Sequence, residues 1–163
     1  MRELTHYDER GAVKMVDVSA KPATTRVAVA HAFVRIAPAA LRAIRRLRTP
    51  KGSPLEVARI AGILAAKRTA ELIPLCHPLP VAHADVQTRL RPHGIEITSR
   101  ITTTAPTGVE MESLTAAAVA ALTVYDMSKA LDRGIEITEL YLVEKRGGRS
   151  GHYRRRRGKK HRA

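Results

Sequence analysis

Cysteine and aromatic residues are scarce in this sequence. Its 163 residues include one cysteine (Cys76), one phenylalanine (Phe33), four tyrosines and no tryptophan. A single cysteine excludes an internal disulfide and suits a reducing cytoplasm. The shortage of aromatic side chains argues against an RNA-binding protein, because RNA-binding domains stack bases on exposed aromatic rings.

Long apolar runs are also missing. No run of about 18 apolar residues occurs, so we predict no membrane-spanning helix. The first ten residues, MRELTHYDER, carry charge throughout and lack the apolar region of a secretory signal. We therefore expect a cytoplasmic protein. An apolar content of 44% is typical of a folded globular chain of this length.

Acidic residues are absent from the end of the chain. From Lys145 onward there are ten Lys or Arg and no Asp or Glu, which leaves 19 basic and 15 acidic residues in the rest. We therefore predict one folded domain over residues 1–151 and a basic, disordered tail over residues 152–163. A body with a net charge of only +4 suits an anionic small molecule as well as nucleic acid.

The order of predicted elements indicates an α+β fold. Apolar periodicity and turn residues predict the order strand, helices, two strands joined by a hairpin, helix and strand. This order is the split βαβ of a ferredoxin-like sandwich, an antiparallel sheet with helices on one face. The predicted ranges are strand 26–36, helices 38–48 and 54–73, strands 81–90 and 95–104, helix 107–133 and strand 135–144.

The helix predicted over residues 107–133 carries charged residues at both ends of an alanine-rich middle. Glu112 lies near its start, and Asp126 and Lys129 lie near its end, three residues apart on one face. The last two could equally be a solvated surface pair. Glu112 and Asp126 would lie about 21 Å apart along a continuous helix, too far for one compact pocket. Either the substrate is long, or each pocket combines residues of two subunits. We favour the second alternative, with a homodimer as the smallest working unit.

Several cationic side chains, and one loop, are candidates for a substrate site. Residues 75–80 form a stiff, proline-rich loop with a Cys-His pair, and function often lies on such loops. One cysteine is too few for a usual zinc site, so we predict no metal and no other cofactor. Cations that converge with acids would suit a phosphate-bearing substrate that undergoes proton transfer. The candidate cations are Lys21, Arg26, Lys51, Lys67, His77 and Lys129.

Four long motifs identify a family resemblance. They are MVDVSAK (15–21), ARIAGILAAKRTAELIPLCHPLP (58–80), TGVEMESLTAAAVAALTVYDMSKA (107–130) and EKRGGRSG (144–151). Together they closely resemble the MoaC family, the cyclic pyranopterin monophosphate synthases of molybdenum cofactor biosynthesis. The resemblance covers residues 4–151.

The resemblance implies a ferredoxin-like lyase that acts as a hexamer, a trimer of dimers with active sites at the dimer interface. The implied reaction converts 3′,8-cyclo-7,8-dihydroguanosine 5′-triphosphate to cyclic pyranopterin monophosphate and releases pyrophosphate. The implied catalytic residues are Asp126, Lys51 and Lys129. The implied substrate-binding residues are Leu75, Cys76, His77, Met111, Glu112, Glu110, Lys67, Arg26, Asp17 and Lys21.

Two other classes of function remain open at this stage. A ferredoxin-like module could bind nucleic acid through the basic tail, and weak non-specific contact of that kind could also accompany an enzyme activity. A small-molecule sensor could share the fold, but it would not need Asp126 and Lys129.

Overall fold

The fold is an antiparallel sheet with helices packed on one face. In this computed structural model, residues 5–46, 53–149 and 151–156 are described. The strands lie in the order β2-β3-β1-β4-β5, and every recorded pair is antiparallel. The elements are β1 Thr24–Arg35, α1 Pro38–Arg46, α2 Pro54–Lys67, α3 Thr69–Leu72, β2 Val81–Arg91, β3 Gly94–Ala105, α4 Glu110–Ser128, β4 Glu136–Arg146 and β5 Tyr153–Arg154.

The first four strands confirm the predicted ferredoxin-like α+β class. Strands β1 and β3 are the central pair, and β2 and β4 flank them, as in the split βαβ arrangement. Ile95, Ile97 and Ile101 of β3 are fully buried, whereas Arg100 between them is exposed. This period-2 alternation was predicted from the sequence, and it directs the apolar face of the sheet toward the helices.

Helices α2 and α4 pack against each other through small residues. A Cβ placed on Gly62 of α2 would lie 2.8 Å from the carbonyl oxygen of Ala116 and 3.2 Å from the Cβ of Ala120, both on α4. Ala116, Ala117, Ala120 and Ala121 are all fully buried. The alanine-rich middle of α4 therefore permits the close backbone approach that was expected of it.

Two helices are shorter than predicted. The predicted helix 54–73 breaks after Lys67, where the Thr69 hydroxyl donates to the carbonyl oxygens of Ala65 and Ala66. A hydroxyl that bonds these carbonyls competes with the helical backbone. Helix α4 spans Glu110–Ser128, whereas the predicted range was 107–133.

The start of α2 has a side-chain N-cap. The Ser53 hydroxyl accepts from the Leu55 backbone N–H at 3.3 Å, and Pro54 occupies the first helical position. The Glu56 carboxylate accepts from Arg59 instead, so we find an N-cap and not the full capping box.

The disorder predicted for residues 152–163 does not extend to Tyr153 and Arg154. Tyr153–Arg154 forms β5 and pairs with Lys145 and Glu144 of β4. The Arg155 guanidinium lies 4.3 Å from the centre of the Tyr141 ring, in a cation–π contact. The composition of this segment is that of a solvated tail, but main-chain pairing with β4 and the cation–π contact hold it in place.

Among the described residues, no helix is both long enough and apolar enough to cross a membrane.

Candidate active site

A cavity of about 350 Å³ lies where the proline-rich loop meets the first turn of α4. It brings together seven of the predicted site residues: Lys21, Leu75, Cys76, His77, Glu110, Met111 and Glu112. The other lining residues come from the N-terminal segment, the same loop and the turn before α4: Thr5, His6, Val16, Val18, Leu79, Thr107 and Gly108.

The loop that carries Cys76 and His77 is held at both ends. It follows α3, and a backbone hydrogen bond of 3.0 Å from the Cys76 N–H to the Ile73 carbonyl oxygen closes a turn at its start. At its other end, the Pro80 carbonyl oxygen accepts a hydrogen bond from the buried Thr103 hydroxyl of β3. Prolines 74, 78 and 80 restrict the backbone between these points.

Glu112 is the buried acid of the cavity. Its side chain lies in the first turn of α4, and the residue is only 4% exposed. Burial raises the pKa of the Glu112 carboxyl, and the nearby charge of Glu110 raises it further. A buried carboxyl group without a recorded ion pair is well placed to accept N–H groups of a ligand.

Cys76 is a partly buried, free thiol. Burial raises the pKa of Cys76, and the charge of Glu112 adds to the effect. The thiol therefore stays protonated near neutral pH, which disfavours a role as nucleophile.

The orientation of the His77 ring is fixed by the N-terminal segment. Its Nε2 atom lies 2.8 Å from the backbone carbonyl oxygen of Val16. A carbonyl oxygen can only accept, so Nε2 carries the proton, and in neutral His77 the Nδ1 atom is the acceptor.

A second cavity of about 960 Å³ adjoins the first, and the two share Lys21 and Glu110 among other residues. Its wall is strongly cationic. Five Lys and Arg side chains and a single acid, Glu110, are among its lining residues. The five cationic residues are Lys21, Arg26, Lys145, Arg146 and Arg149.

Arg26 lies deep in the wall of this second cavity. One guanidinium nitrogen, Nη2, donates to the Pro106 carbonyl oxygen at 3.3 Å, and its buried Nε has no hydrogen-bond partner among the described residues. Gly148, at φ +74°, packs against the guanidinium so closely that a Cβ there would overlap it. The positive φ favours glycine at this position, and a side chain there would require the Arg26 guanidinium to move.

An ion pair stands where the two cavities meet. The Lys145 Nζ atom donates to Glu110 Oε1 at 2.7 Å, and both side chains are partly buried. Lys145 had been counted with the basic tail, but it lies within β4 and faces the start of α4.

Asp126 and Lys129 lie at the opposite end of α4, and neither lines the two cavities described above. They form a salt bridge of 2.7 Å with side chains 71% and 60% exposed. Asp126 raises the pKa of Lys129 by hydrogen bonding and by its charge.

Two other predicted residues lie apart from the cavities, and a third is not among the described residues. Lys67 is the exposed last residue of α2. Asp17 is exposed, and its pKa is lowered mainly because its carboxylate accepts the Ser19 N–H at 2.9 Å. Lys51 lies outside the described residues.

Sequence reasoning missed several residues of the two cavities. Lys145 and Arg146 could have been found from the alternation of the last strand, which places Lys145 on the helix side, opposite Ala28. The sequence pattern did not indicate the cavity residues of the N-terminal segment, because this segment has no regular secondary structure. These residues are Thr5, His6, Val16 and Val18.

The protein is a ferredoxin-like α+β protein, and the cationic wall and buried acid of its two adjoining cavities suit an anionic ligand that carries hydrogen-bond donors. A sequence profile of the MoaC family matches residues 15–148. The chain belongs to the MoaC family.

Curated relatives match nearly the whole chain. A protein of Thermomicrobium roseum named cyclic pyranopterin monophosphate synthase is 59% identical over 157 residues, which is 95% of each chain. Cyclic pyranopterin monophosphate synthase 1 of Mycobacterium tuberculosis is 56% identical and covers 93% of this chain and 90% of its own. The Deinococcus radiodurans protein of the same name, without the number, is 54% identical and covers 93% of this chain and 89% of its own.

Proposed function

We propose that this chain is a cyclic pyranopterin monophosphate synthase, a lyase of molybdenum cofactor biosynthesis that acts in the cytoplasm. It converts 3′,8-cyclo-7,8-dihydroguanosine 5′-triphosphate to cyclic pyranopterin monophosphate and releases pyrophosphate. The observation that carries this proposal is the pair of adjoining cavities, one with the buried acid Glu112 and one with five cationic residues. The names of the relatives favour this function over the nucleic-acid-binding alternative.

The two cavities match the two halves of this substrate. The guanine-derived ring offers N–H donors, and Glu112 supplies a carboxyl group to accept them in a place from which water is largely excluded. Leu75, Cys76 and Met111 supply apolar surface beside it. A triphosphate carries about four negative charges and needs several cationic donors, which Lys21 and the second cavity provide.

Proton transfer is assigned to Asp126, Lys51 and Lys129. Opening and closing rings on a reduced purine needs protons to be moved in both directions. Asp126 contacts Lys129 directly and can orient it. In one isolated chain the exposed Lys129 stays protonated, because the same contact raises its pKa. A cationic substrate-binding cavity beside Lys129 would oppose that effect and bring its pKa closer to neutrality.

A second copy of the chain can supply that neighbouring cavity. Glu112 and Asp126 belong to one continuous helix, and Val119 lies midway between them. Two α4 helices packed antiparallel about a two-fold axis near Val119 bring each Glu112 close to Asp126 of the partner subunit. Exposed apolar residues support contact on this layer: Leu122 and Tyr125 on α4, and Ile60 and Leu64 on α2.

The working assembly in this proposal is a dimer with two shared sites, and three dimers form the hexamer. The weak, non-specific contact of the basic tail with nucleic acid stays a prediction beside this activity.

The direct test is incubation of the protein with 3′,8-cyclo-7,8-dihydroguanosine 5′-triphosphate. We expect release of pyrophosphate together with a pterin product, measured by an enzyme-coupled assay and by mass spectrometry. Asp126→Ala and Lys51→Ala should each lower kcat by about a hundredfold or more, as expected for loss of a group used in proton transfer. Absence of the pterin product with the parent protein would exclude the proposed reaction, and parent rates in both variants would exclude these catalytic residues.

A further inference from the structure

The N-terminal segment over residues 5–21 contributes to the first cavity but is weakly attached to the rest of the fold. Its described residues are exposed, apart from the half-buried Asp8, Val16 and Val18. Val16 and Val18 form part of the cavity wall together with Leu75 and His77. The segment therefore shapes the cavity without being part of the sheet or the helix layer.

The hydrogen bonds of this segment are almost all internal. Asp8 caps a turn through its carboxylate, which accepts the Arg10 and Ala12 N–H groups. Tyr7 and Val13 form a single bridge, and Lys21 N–H donates to the Val18 carbonyl oxygen. Between described residues, one recorded hydrogen bond links the segment to the rest of the chain, from His77 Nε2 to the Val16 carbonyl oxygen.

We propose that His77 is a positioning residue that anchors the segment 16–21 against the cavity, so that Val16, Val18 and Lys21 keep their places in its wall. This inference rests on the proposed function for its effect on substrate binding, but the anchoring itself does not. The loop that carries His77 is fixed by its prolines and by Thr103, so the anchor joins a weakly held segment to a rigid element.

The chemistry of the contact supports anchoring over direct substrate contact through Nε2. The Val16 carbonyl already occupies that nitrogen at 2.8 Å. Because the Val16 carbonyl oxygen can only accept, Nε2 acts as the donor and is not free to contact a substrate. Asp17 lies next to the anchor point, and the positive charges of Lys21 and His77 contribute to its lowered pKa after its contacts with Ser19.

Three substitutions of His77 distinguish anchoring of the segment from direct contact with the substrate. The side-chain amide nitrogen of glutamine reaches about as far as Nε2, whereas that of asparagine reaches only about as far as Nδ1. His77→Gln can therefore still donate to Val16, and His77→Asn and His77→Ala cannot. Asparagine serves as the matched control, because it retains a polar amide on the same loop.

The first measurement is hydrogen–deuterium exchange of the full-length protein without substrate. We expect exchange of the amides of residues 16–21 to become about five- to tenfold faster in His77→Ala and His77→Asn, as for loss of one hydrogen bond, and to stay near the parent rate in His77→Gln. Equal exchange in all four proteins would overturn the anchoring role. This readout needs no activity, so it stands even if the proposed reaction is wrong.

The second measurement is the split between KM and kcat with the cyclised triphosphate. Displacement of the cavity wall should raise KM in His77→Asn and His77→Ala, with a smaller change in kcat. In His77→Gln the KM should stay close to the parent value. A large fall in kcat in all three variants, with unchanged exchange, would instead assign His77 to direct action on the substrate. Faster exchange without any change in KM would show that the segment does not position the substrate.

Discussion

The carboxyl group of Glu112 shows how one residue can combine a binding role with a cost in stability. It lies on a helix whose middle is made of buried alanines, and its own side chain is almost fully covered. Burial of an acid favours its protonated form and destabilises the charged form. A chain selected for folding alone would place an apolar residue at this position, so the buried acid itself indicates a site.

Glu112→Gln should make stability less dependent on pH. Below the ordinary glutamate pKa of about 4.3, the side chain is protonated in the folded and unfolded parent chain alike. As the pH rises above that value, the unfolded chain loses the proton that the folded chain keeps, so the free energy of unfolding decreases until the raised pKa of Glu112 is passed. The glutamine variant lacks this decrease and should gain stability relative to the parent between acid and neutral pH.

Urea denaturation at a series of pH values measures this difference. Glu71→Gln is the control, because Glu71 is exposed on α3 and its substitution should leave the pH profile of stability unchanged. A stability difference between Glu112→Gln and the parent that stays constant from acid to neutral pH would contradict the prediction. In the activity assay the same variant should raise KM, because an amide provides one acceptor oxygen where the carboxylate has two.

Chemistry at the residue scale was only partly visible in the sequence. The loop with Cys76 and His77 was predicted as a site element from its prolines and residue types, and it does line the cavity. The anchoring of His77 by Val16 could not be predicted, because it joins residues 61 positions apart through an irregular segment. Lys145 was misjudged because charge composition does not distinguish a strand residue from a tail residue.

At the scale of elements, the contact between α2 and α4 decides how closely the helix layer packs. Gly62 of α2 faces a backbone carbonyl of α4, and the Cγ1 atom of Val86 on β2 lies on its other side. The space for a side chain at this position is therefore closed by two elements at once. Small residues at such a crossing allow close packing of backbones, and larger ones force the helices apart.

Gly62→Ala should destabilise the protein by about 1–3 kcal/mol, because the added methyl group overpacks this contact. The loss should exceed the gain of about 1 kcal/mol that alanine brings to a helix interior through its propensity. Thermal and urea unfolding measure the difference. Gly134→Ala is the matched control, since its added Cβ would meet only the end of the Asp132 side chain, at 3.3 Å. A more stable Gly62→Ala protein would show that the helices can move apart freely.

The elements themselves were largely predictable because their periodicities are local. The alternation of β3 and the alanine-rich pattern of α4 follow from residues within each element. The break between α2 and α3 was not predicted, since it depends on the hydrogen bonds that the Thr69 hydroxyl donates to the carbonyl oxygens of Ala65 and Ala66. The strand β5 was missed for a similar reason: its two residues pair with an edge strand that the tail composition does not reveal.

At the scale of the whole molecule, the main question is how residues at the two ends of α4 can serve one reaction. Glu112 lines the first cavity, whereas Asp126 and Lys129 form an exposed pair at the other end of the same helix. Distance along a helix is fixed by its rise per residue, so no side-chain rearrangement within one chain brings these groups together. The proposed antiparallel pairing about Val119 solves this problem and requires that each site use residues of two subunits.

Mixing two inactive variants tests that requirement. Glu112→Ala and Asp126→Ala proteins should each have little activity, because every site in either homo-oligomer lacks one group. After subunits are exchanged at equal amounts, half of the dimers are mixed, and each mixed dimer has one site with both groups intact and one site with neither. Activity should therefore rise to about one quarter of the parent value for random pairing in an isologous dimer. If Glu112 and Asp126 of one chain served the same site, no mixed dimer would contain an intact site. The absence of recovery, with exchange verified by native mass spectrometry of differently tagged chains, would then exclude shared sites.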